Sequence, residues 1–261
     1  MRIDAGDIAI NYDLSGPADA PVVAMSHSLA SSLVMWDPQL AVLSTKYRVL
    51  RIDTRGHGLT DAPAGEYTLD QLGNDMIAVL DRLDIAKAHW VGLSMGGMIG
   101  QNLALNHGDR LASLSICNST SQVPEAMRGV WDDRIKTARD GGMAAVVDGT
   151  LERWFTDEYR AKQTPQFDQV RMEILRTPVD GFAGCCAAIR QLDYTDRLGT
   201  VTTPTLIITG EFDPGTPLAA SQVMNEKIPG SELVVLPVRH FSNVEVPDDF
   251  TNALTAFLAK H

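Results

Sequence analysis

Ala88-His89-Trp90-Val91-Gly92-Leu93-Ser94-Met95-Gly96-Gly97 is the stretch that decides the fold. It contains G-x-S-x-G with Ser94 at the centre. An apolar run, 88–91, precedes the pattern and a helix-like run, 97–104, follows it. A strand that reverses sharply into a helix leaves little room around its apex, so small residues are needed two positions either side. The same turn lifts the serine hydroxyl clear of the backbone and sets it beside free N–H groups at a helix N-terminus. The pentapeptide alone arises by chance. The strand, turn and helix around it make Ser94 a candidate nucleophile rather than part of a structural turn.

Working outward, apolar spacing predicts strands at 8–14, 22–25, 47–52 and 111–117. Helices are predicted at 36–43 and 69–83. In the second of these Leu72, Met76, Val79, Leu80 and Leu83 share one face. Alternating short strands and helices imply an α/β fold, a mostly parallel twisted sheet flanked by helices. The pattern changes after Asn118. From there the sequence reads as helices alone, at 127–139, 143–155, 167–176 and 181–192. Strands resume at 205–209 and 232–236, and a helix at 248–259 follows. The expected organisation is one α/β core, residues 1–120 and 197–261, carrying an inserted helical lid, residues 121–196.

Composition narrows the function classes. The net charge is −11 and no run of Lys or Arg occurs, so neither nucleic acid nor an anionic membrane is expected as a partner. The three cysteines, Cys117, Cys185 and Cys186, are odd in number and two are adjacent. They imply no disulfide framework and fit a reducing cytoplasm. No Cys/His spacing matches a zinc site, so no metal is expected. The first residues lack the apolar region of a signal peptide, and no apolar run reaches membrane-spanning length. A cytoplasmic protein is the expectation.

A serine hydroxyl needs a base, ordinarily a histidine held by a carboxylate. Six histidines compete. His27, His57 and His240 follow strand ends, and in a parallel sheet such positions gather on one edge. In a serine turn of this kind the acid and then the base follow the nucleophile in the chain, which selects His240. The acid then belongs past a strand between Ser94 and His240. Asp213 meets that requirement, with Glu211 its near rival and Asp193 and Asp196 more distant ones. Two backbone donors are needed for the tetrahedral oxyanion. They are expected at Met95, just after the serine, and at Leu29, in the loop after the strand at 22–25.

His27-Ser28-Leu29, Asp53-Thr54-Arg55-Gly56-His57-Gly58, Gly92 to Gly97, Gly210-Glu211-Phe212-Asp213-Pro214 and His240 together resemble an α/β-hydrolase over nearly the whole chain. One departure stands out: the family usually carries His-Gly where this chain has His27-Ser28, and it bears on the second oxyanion donor. The resemblance implies that Arg55 and His57 are structural turn residues, with contact to substrate left open for a solvent-facing His57.

Further stretches resemble the 3-oxoadipate enol-lactonases: Met35-Trp36-Asp37, Leu93 to Gln101, Gly141-Gly142-Met143, Leu151-Glu152-Arg153-Trp154-Phe155, Gly184-Cys185-Cys186-Ala187-Ala188 and His240 to Glu245. This implies hydrolysis of a small anionic lactone in the breakdown of protocatechuate and catechol, with no cofactor. A carboxylated substrate calls for a local cation in an acidic protein. The helical insert offers Arg128, Arg134, Arg153, Arg171, Arg176 and Arg190. Arg134 is the choice, because Trp131 lies three residues earlier on the same helical face. Trp154 is the expected apolar wall. Met127, Met143 and the Cys185–Cys186 pair are assigned to packing. The alternatives are a carboxylesterase, a carbon–carbon bond hydrolase, a perhydrolase, or a non-catalytic ligand receptor on the same fold.

Overall fold

A computed structural model describes all residues 1–261. Its centre is an eight-stranded sheet in the order β1-β2-β4-β3-β5-β6-β7-β8. The strands are β1 Arg2–Asp4, β2 Ala9–Ser15, β3 Val22–Ser26, β4 Arg48–Ile52, β5 Ala88–Leu93, β6 Leu111–Cys117, β7 Thr205–Gly210 and β8 Glu232–Leu236. Only β1 and β2 run antiparallel to their neighbours. Every residue of β5 and of β7 is buried, as expected of strands covered on both faces.

The strand order explains where the site lies. From β3 the chain passes through α1 (Asp37–Leu43) to β4 on one side. It then returns through α2 (Leu69–Arg82) to β5 on the other side of β3. Right-handed crossovers in opposite directions place α1 and α2 on opposite faces. α3 (Met95–Asn106) continues in the direction of α2 and packs against it. The reversal leaves a crevice beyond the carboxyl ends of β3 and β5, where open α/β sheets bind their ligands. Leu29 follows β3 and Ser94 follows β5, so both lie at that crevice.

Five helices fill the segment between β6 and β7: α4 Arg128–Gly141, α5 Val147–Trp154, α6 Asp157–Ala161, α7 Pro165–Arg176 and α8 Val179–Arg190. The expected helix at 143–155 is broken, with a 3-10 turn at Met143–Ala145 ahead of α5. Three helices are not expected from the sequence: α6, α9 (Leu218–Lys227) between β7 and β8, and the short helix at Ser242–Glu245. The chain closes with α10 (Ser242–Glu245) and α11 (Pro247–Leu258), the latter packed on α1. No helix is long and apolar enough to cross a membrane.

The loop after β3 is held by side chains of the next strand's turn. His57 Nε2 accepts the Ala30 N–H at 2.9 Å, and His27 Nε2 accepts the Thr54 N–H at 2.9 Å. Asp53 Oδ1 accepts the Leu33 N–H at 2.7 Å. Ala30 is fixed at φ +59°, a conformation that an L residue keeps only under such restraint. Both histidines are fully buried, so His57 does not face solvent or substrate. Burial pulls the His27 pKa from 6.5 down to about 4 and that of His57 to about 3. Each therefore stays neutral, with Nδ1 donating to a carbonyl and Nε2 accepting.

A pH dependence follows from the sign of these shifts. The unfolded chain protonates each histidine near pH 6.5, and the fold resists until about pH 4 or 3. Stability is therefore fully present above pH 6.5 and declines as pH falls toward 4, by about 1.4 kcal/mol per pH unit for each histidine. Urea denaturation across that window measures the slope. His57→Gln keeps an acceptor but does not titrate, and should remove about half of the histidine contribution. An unchanged slope would mean that His57 is not held neutral by the fold.

Candidate active site

Ser94 sits at φ +56° and ψ −112°, outside the regions open to most residues. Such a conformation costs on the order of 1–3 kcal/mol and persists only where the surroundings enforce it. The Ser94 N–H donates to the Cys117 carbonyl at 2.8 Å. The Ser94 carbonyl accepts from the N–H groups of Gly97 and Met98 at 2.9 and 3.0 Å, and from the Ser119 hydroxyl at 2.8 Å. A Cβ on Gly92 would overlap the Gly96 carbonyl, and one on Gly96 would overlap the Ser26 carbonyl. The two glycines of the pattern are thus required by close backbone approach. Met95 opens α3, so its N–H is among the donors that a helix leaves unused. The Leu29 N–H has no acceptor within the protein.

Asp213 and His240 meet as strand order anticipated. His240 Nδ1 lies 2.6 Å from Asp213 Oδ2, and both residues are buried. Asp213 is further satisfied by four donors. The N–H groups of Gly215 and Thr216 reach Oδ1 at 2.8 and 3.0 Å. The Thr216 hydroxyl and the Asn118 amide reach Oδ2 at 2.6 and 3.2 Å. Burial pushes the carboxyl pKa up, but attraction to His240 and these hydrogen bonds outweigh it and leave the pKa lowered. The rivals Glu211, Asp193 and Asp196 are exposed. The sequence reading passed over Thr216. Its signal was the spacing Asp213-Pro214-Gly215-Thr216, in which an aspartate commonly accepts from the turn that follows it.

The helical block also holds the histidine. The Trp154 carbonyl, at the end of α5, accepts both the His240 and the Phe241 N–H at 3.0 Å. The Trp154 ring stacks near His240, with centroids 6.3 Å apart and planes at 24°. Trp154 is thus a wall, as expected, and also a backbone anchor. Arg239 adds a second tie, donating to the Phe155 carbonyl at 3.1 Å.

Ser94, His240 and Asp213 open on one cavity of about 630 Å³. Leu29, Trp131, Arg134 and Trp154 line it too, so the structure brings the predicted side chains together at one place. Of the insert arginines named above, Arg171, Arg176 and Arg190 are tied up in ion pairs. Arg134 and Arg153 line the cavity and have no carboxylate partner. The Arg134 guanidinium stacks 4.8 Å from the Trp131 ring, and its buried Nε has no acceptor. Burial lowers the Arg134 pKa. Burial, followed by repulsion from Arg134, lowers that of Arg153 to about 10. Two unpaired guanidinium groups that repel one another at one cavity are an arrangement that can hold an anion.

Cys185 and Cys186 are fully buried, and burial raises both thiols well out of the reactive range, in line with a packing role. Met143 is likewise buried. Met127 departs from its packing assignment: it is 51% exposed at the cavity mouth, because it precedes α4 on the solvent side. No group of three His, Cys, Asp or Glu side chains is arranged to hold a metal ion.

Known proteins share this architecture. A family model described as the alpha/beta hydrolase fold matches residues 21–247. A 3-oxoadipate enol-lactonase of Acinetobacter baylyi is 36% identical over 258 residues, spanning 99% of this chain and 96% of the relative. The crystal structure of the enol-lactonase from Burkholderia xenovorans superposes with a TM-score of 0.96 at 36% identity, covering 99% of this chain and all of that one. A putative carbamate hydrolase, RutD, of Caulobacter vibrioides is 30% identical over 265 residues, with 98% of each chain covered. With the family match running from the first parallel strand to the start of the last helix, the chain belongs to the α/β-hydrolase family.

Proposed function

We propose that this protein hydrolyses 3-oxoadipate enol-lactone, opening the ring through an acyl-enzyme on Ser94. The observation that carries the reading is the pair of arginines, Arg134 and Arg153, unpaired in the cavity that Ser94 and His240 share. The similarity to enol-lactonases over the whole chain supports it. The insert, 121–196, then serves as the lid over a core formed by 1–120 and 197–261. A carbamate is also an anion, but it would fill far less of a cavity of about 630 Å³.

Asp213 accepts from His240 Nδ1–H, which fixes the tautomer and leaves Nε2 to take the Ser94 proton. Ser94 Oγ attacks the lactone carbonyl. The N–H groups of Leu29 and Met95 receive the oxyanion. The ring C–O bond breaks and the enol oxygen leaves with its electron pair, still tethered through the acyl chain. An enolate leaves far more readily than an alkoxide, so His240 need not protonate it as the bond breaks; the proton taken from Ser94 passes from His240 Nε2 to the released enolate, which leaves the histidine neutral for the next step. Water then gives its proton to His240 and attacks the acyl-enzyme. Ser94 is released, the new carboxylate forms, and the enol becomes a ketone. Arg134 and Arg153 hold the carboxylate already on the substrate, with Trp131 and Trp154 walling the ring. No cofactor takes part in these steps.

The direct test follows loss of the enol-lactone absorbance and compares it with para-nitrophenyl acetate. A strong preference for the lactone is expected, and a preference for the ester would make the protein a general esterase. Arg134→Ala and Arg153→Ala should each raise KM for the lactone by roughly tenfold or more, the worth of a charge-assisted hydrogen bond, and leave the neutral ester unaffected. Equal effects on both substrates would remove the carboxylate-binding role. Asp213→Asn should lower kcat by about four orders of magnitude through loss of tautomer control, with Glu211→Gln near native. The reverse pattern would transfer the acid role to Glu211.

A further inference from the structure

The end of β6 is tied to Ser94, to Asp213 and to the segment that carries His240, yet it lines no part of the cavity. The Cys117 carbonyl accepts the Ser94 N–H at 2.8 Å, and the Ser119 hydroxyl donates to the Ser94 carbonyl at 2.8 Å. Between them stands Asn118, fully buried, whose backbone N–H donates to the Ile208 carbonyl of β7 at 2.7 Å. In this stretch the cavity wall begins only at Thr120. Asn118 therefore meets no substrate, and its buried amide must be satisfied inside the protein.

The amide makes three hydrogen bonds, all to the acid or to the segment that carries the base. Nδ2 donates to Asp213 Oδ2 at 3.2 Å and to the Arg239 carbonyl at 3.1 Å. Oδ1 accepts the Ser242 hydroxyl at 2.6 Å. Chemistry forces this orientation, because an ionised carboxylate and a carbonyl can only accept, and the hydroxyl takes the remaining oxygen. Arg239 and Ser242 stand on either side of His240 and Phe241 in the chain, so one amide grips both ends of that segment and Asp213 at once. The insert holds the same segment through the Trp154 carbonyl, and Asn118 ties it to the sheet. The backbone at Asn118 has φ +43°, a conformation that Asn tolerates and Gly adopts freely. Glycine would serve the turn equally well, but only the amide supplies the bridge.

We propose that Asn118 is a positioning residue for the base, locking the His240 segment onto Asp213 so that their contact is kept through turnover. The inference rests on the reading of Ser94, Asp213 and His240 as nucleophile, acid and base, and it holds for a lactone or an ester alike. Two effects are expected of the amide. It fixes where the imidazole stands, and a base must lie within hydrogen-bond reach of the proton it takes. It also shares Asp213 Oδ2 with His240 and Thr216. A donor on that oxygen draws off negative charge, so its removal strengthens the hold of Asp213 on the imidazolium.

Asn118→Gly keeps the turn and deletes the amide, and Ser242→Ala deletes only the hydroxyl that orients it. With the enol-lactone and with para-nitrophenyl acetate, Asn118→Gly should lower kcat by roughly tenfold to a hundredfold and leave both KM values within about twofold of native. The acid limb of its kcat/KM profile should move up by about half a pH unit or more. Ser242→Ala should shift kcat and the limb in the same directions by less. The double variant should match Asn118→Gly alone, because the two side chains act as one unit. Circular dichroism and thermal unfolding give the folded fraction of each variant. An acid limb at the native pH, with kcat falling only as far as the folded fraction, makes Asn118 purely structural and overturns the proposal. A rise in KM confined to one substrate overturns it too. If Asn118→Gly does not fold, Ser242→Ala decides: a native kcat and a native limb overturn the proposal. A protein that ignores the enol-lactone, but whose ester hydrolysis shows these shifts, contradicts the lactonase reading and supports the role of Asn118.

Discussion

The close approach of the α3 N-terminus to the end of β3 is the constraint on which the site depends. Gly96 lies against the Ser26 carbonyl, with its N–H donating to the His27 carbonyl at 3.1 Å, and only a residue without a Cβ fits there. That contact drives β5 straight into α3 with a single residue at the apex. Ser94 accepts a positive φ because the backbone on either side has nowhere else to go. The same contact sets the loop after β3, which carries Leu29, beside the helix N-terminus at Met95. The strain at Ser94 is offset by the hydrogen bonds of its own peptide groups to β6 and to α3.

The histidine is positioned by a different part of the chain. His240 lies between Asp213, which belongs to the sheet edge, and Trp154, which belongs to the helical block. The block therefore does more than cover the crevice. Its α5 terminus fixes the backbone of the base, and the next residue inward, Arg153, supplies one of the two free cations. Under the proposed function, substrate charge and base geometry would be read by adjacent residues of one helix, so that an insert would set specificity while the core retains the chemistry.

Much of this was legible in the sequence, for a physical reason. A parallel sheet sends every strand's carboxyl end to one edge, so residues past strand ends could be gathered there without knowing the strand order. Asp213 and His240 follow from that placement together with chain order, Ser94 from its G-x-S-x-G turn, and the expected strand at Leu111–Cys117 matches residue for residue. What escaped depends on contacts across the fold. α9 was missed because Pro214, Gly215 and Pro217 read as turns and the helix shows no continuous apolar face. β1 is a three-residue edge strand with little apolar content. Asn118 joins Asp213, the Arg239 carbonyl and the Ser242 hydroxyl, contacts between distant segments that no local spacing announces. Met127 reads as a core methionine until the packing of α4 shows it at the mouth. Among the arginines of the insert, helical periodicity favours Arg134, but Arg153 is singled out only by the cavity it shares with Arg134, since Arg128 too lacks an ion pair.

Rapid-quench mass spectrometry of the protein mixed with the enol-lactone distinguishes a covalent route through Ser94 from direct attack by water. Because the leaving enol stays tethered, the acyl-enzyme must carry the whole mass of the lactone. The account predicts a transient gain of that full mass on the peptide containing Ser94, absent from Ser94→Ala. Turnover without any adduct in Ser94→Ala, or a mass gain on another residue, would contradict it.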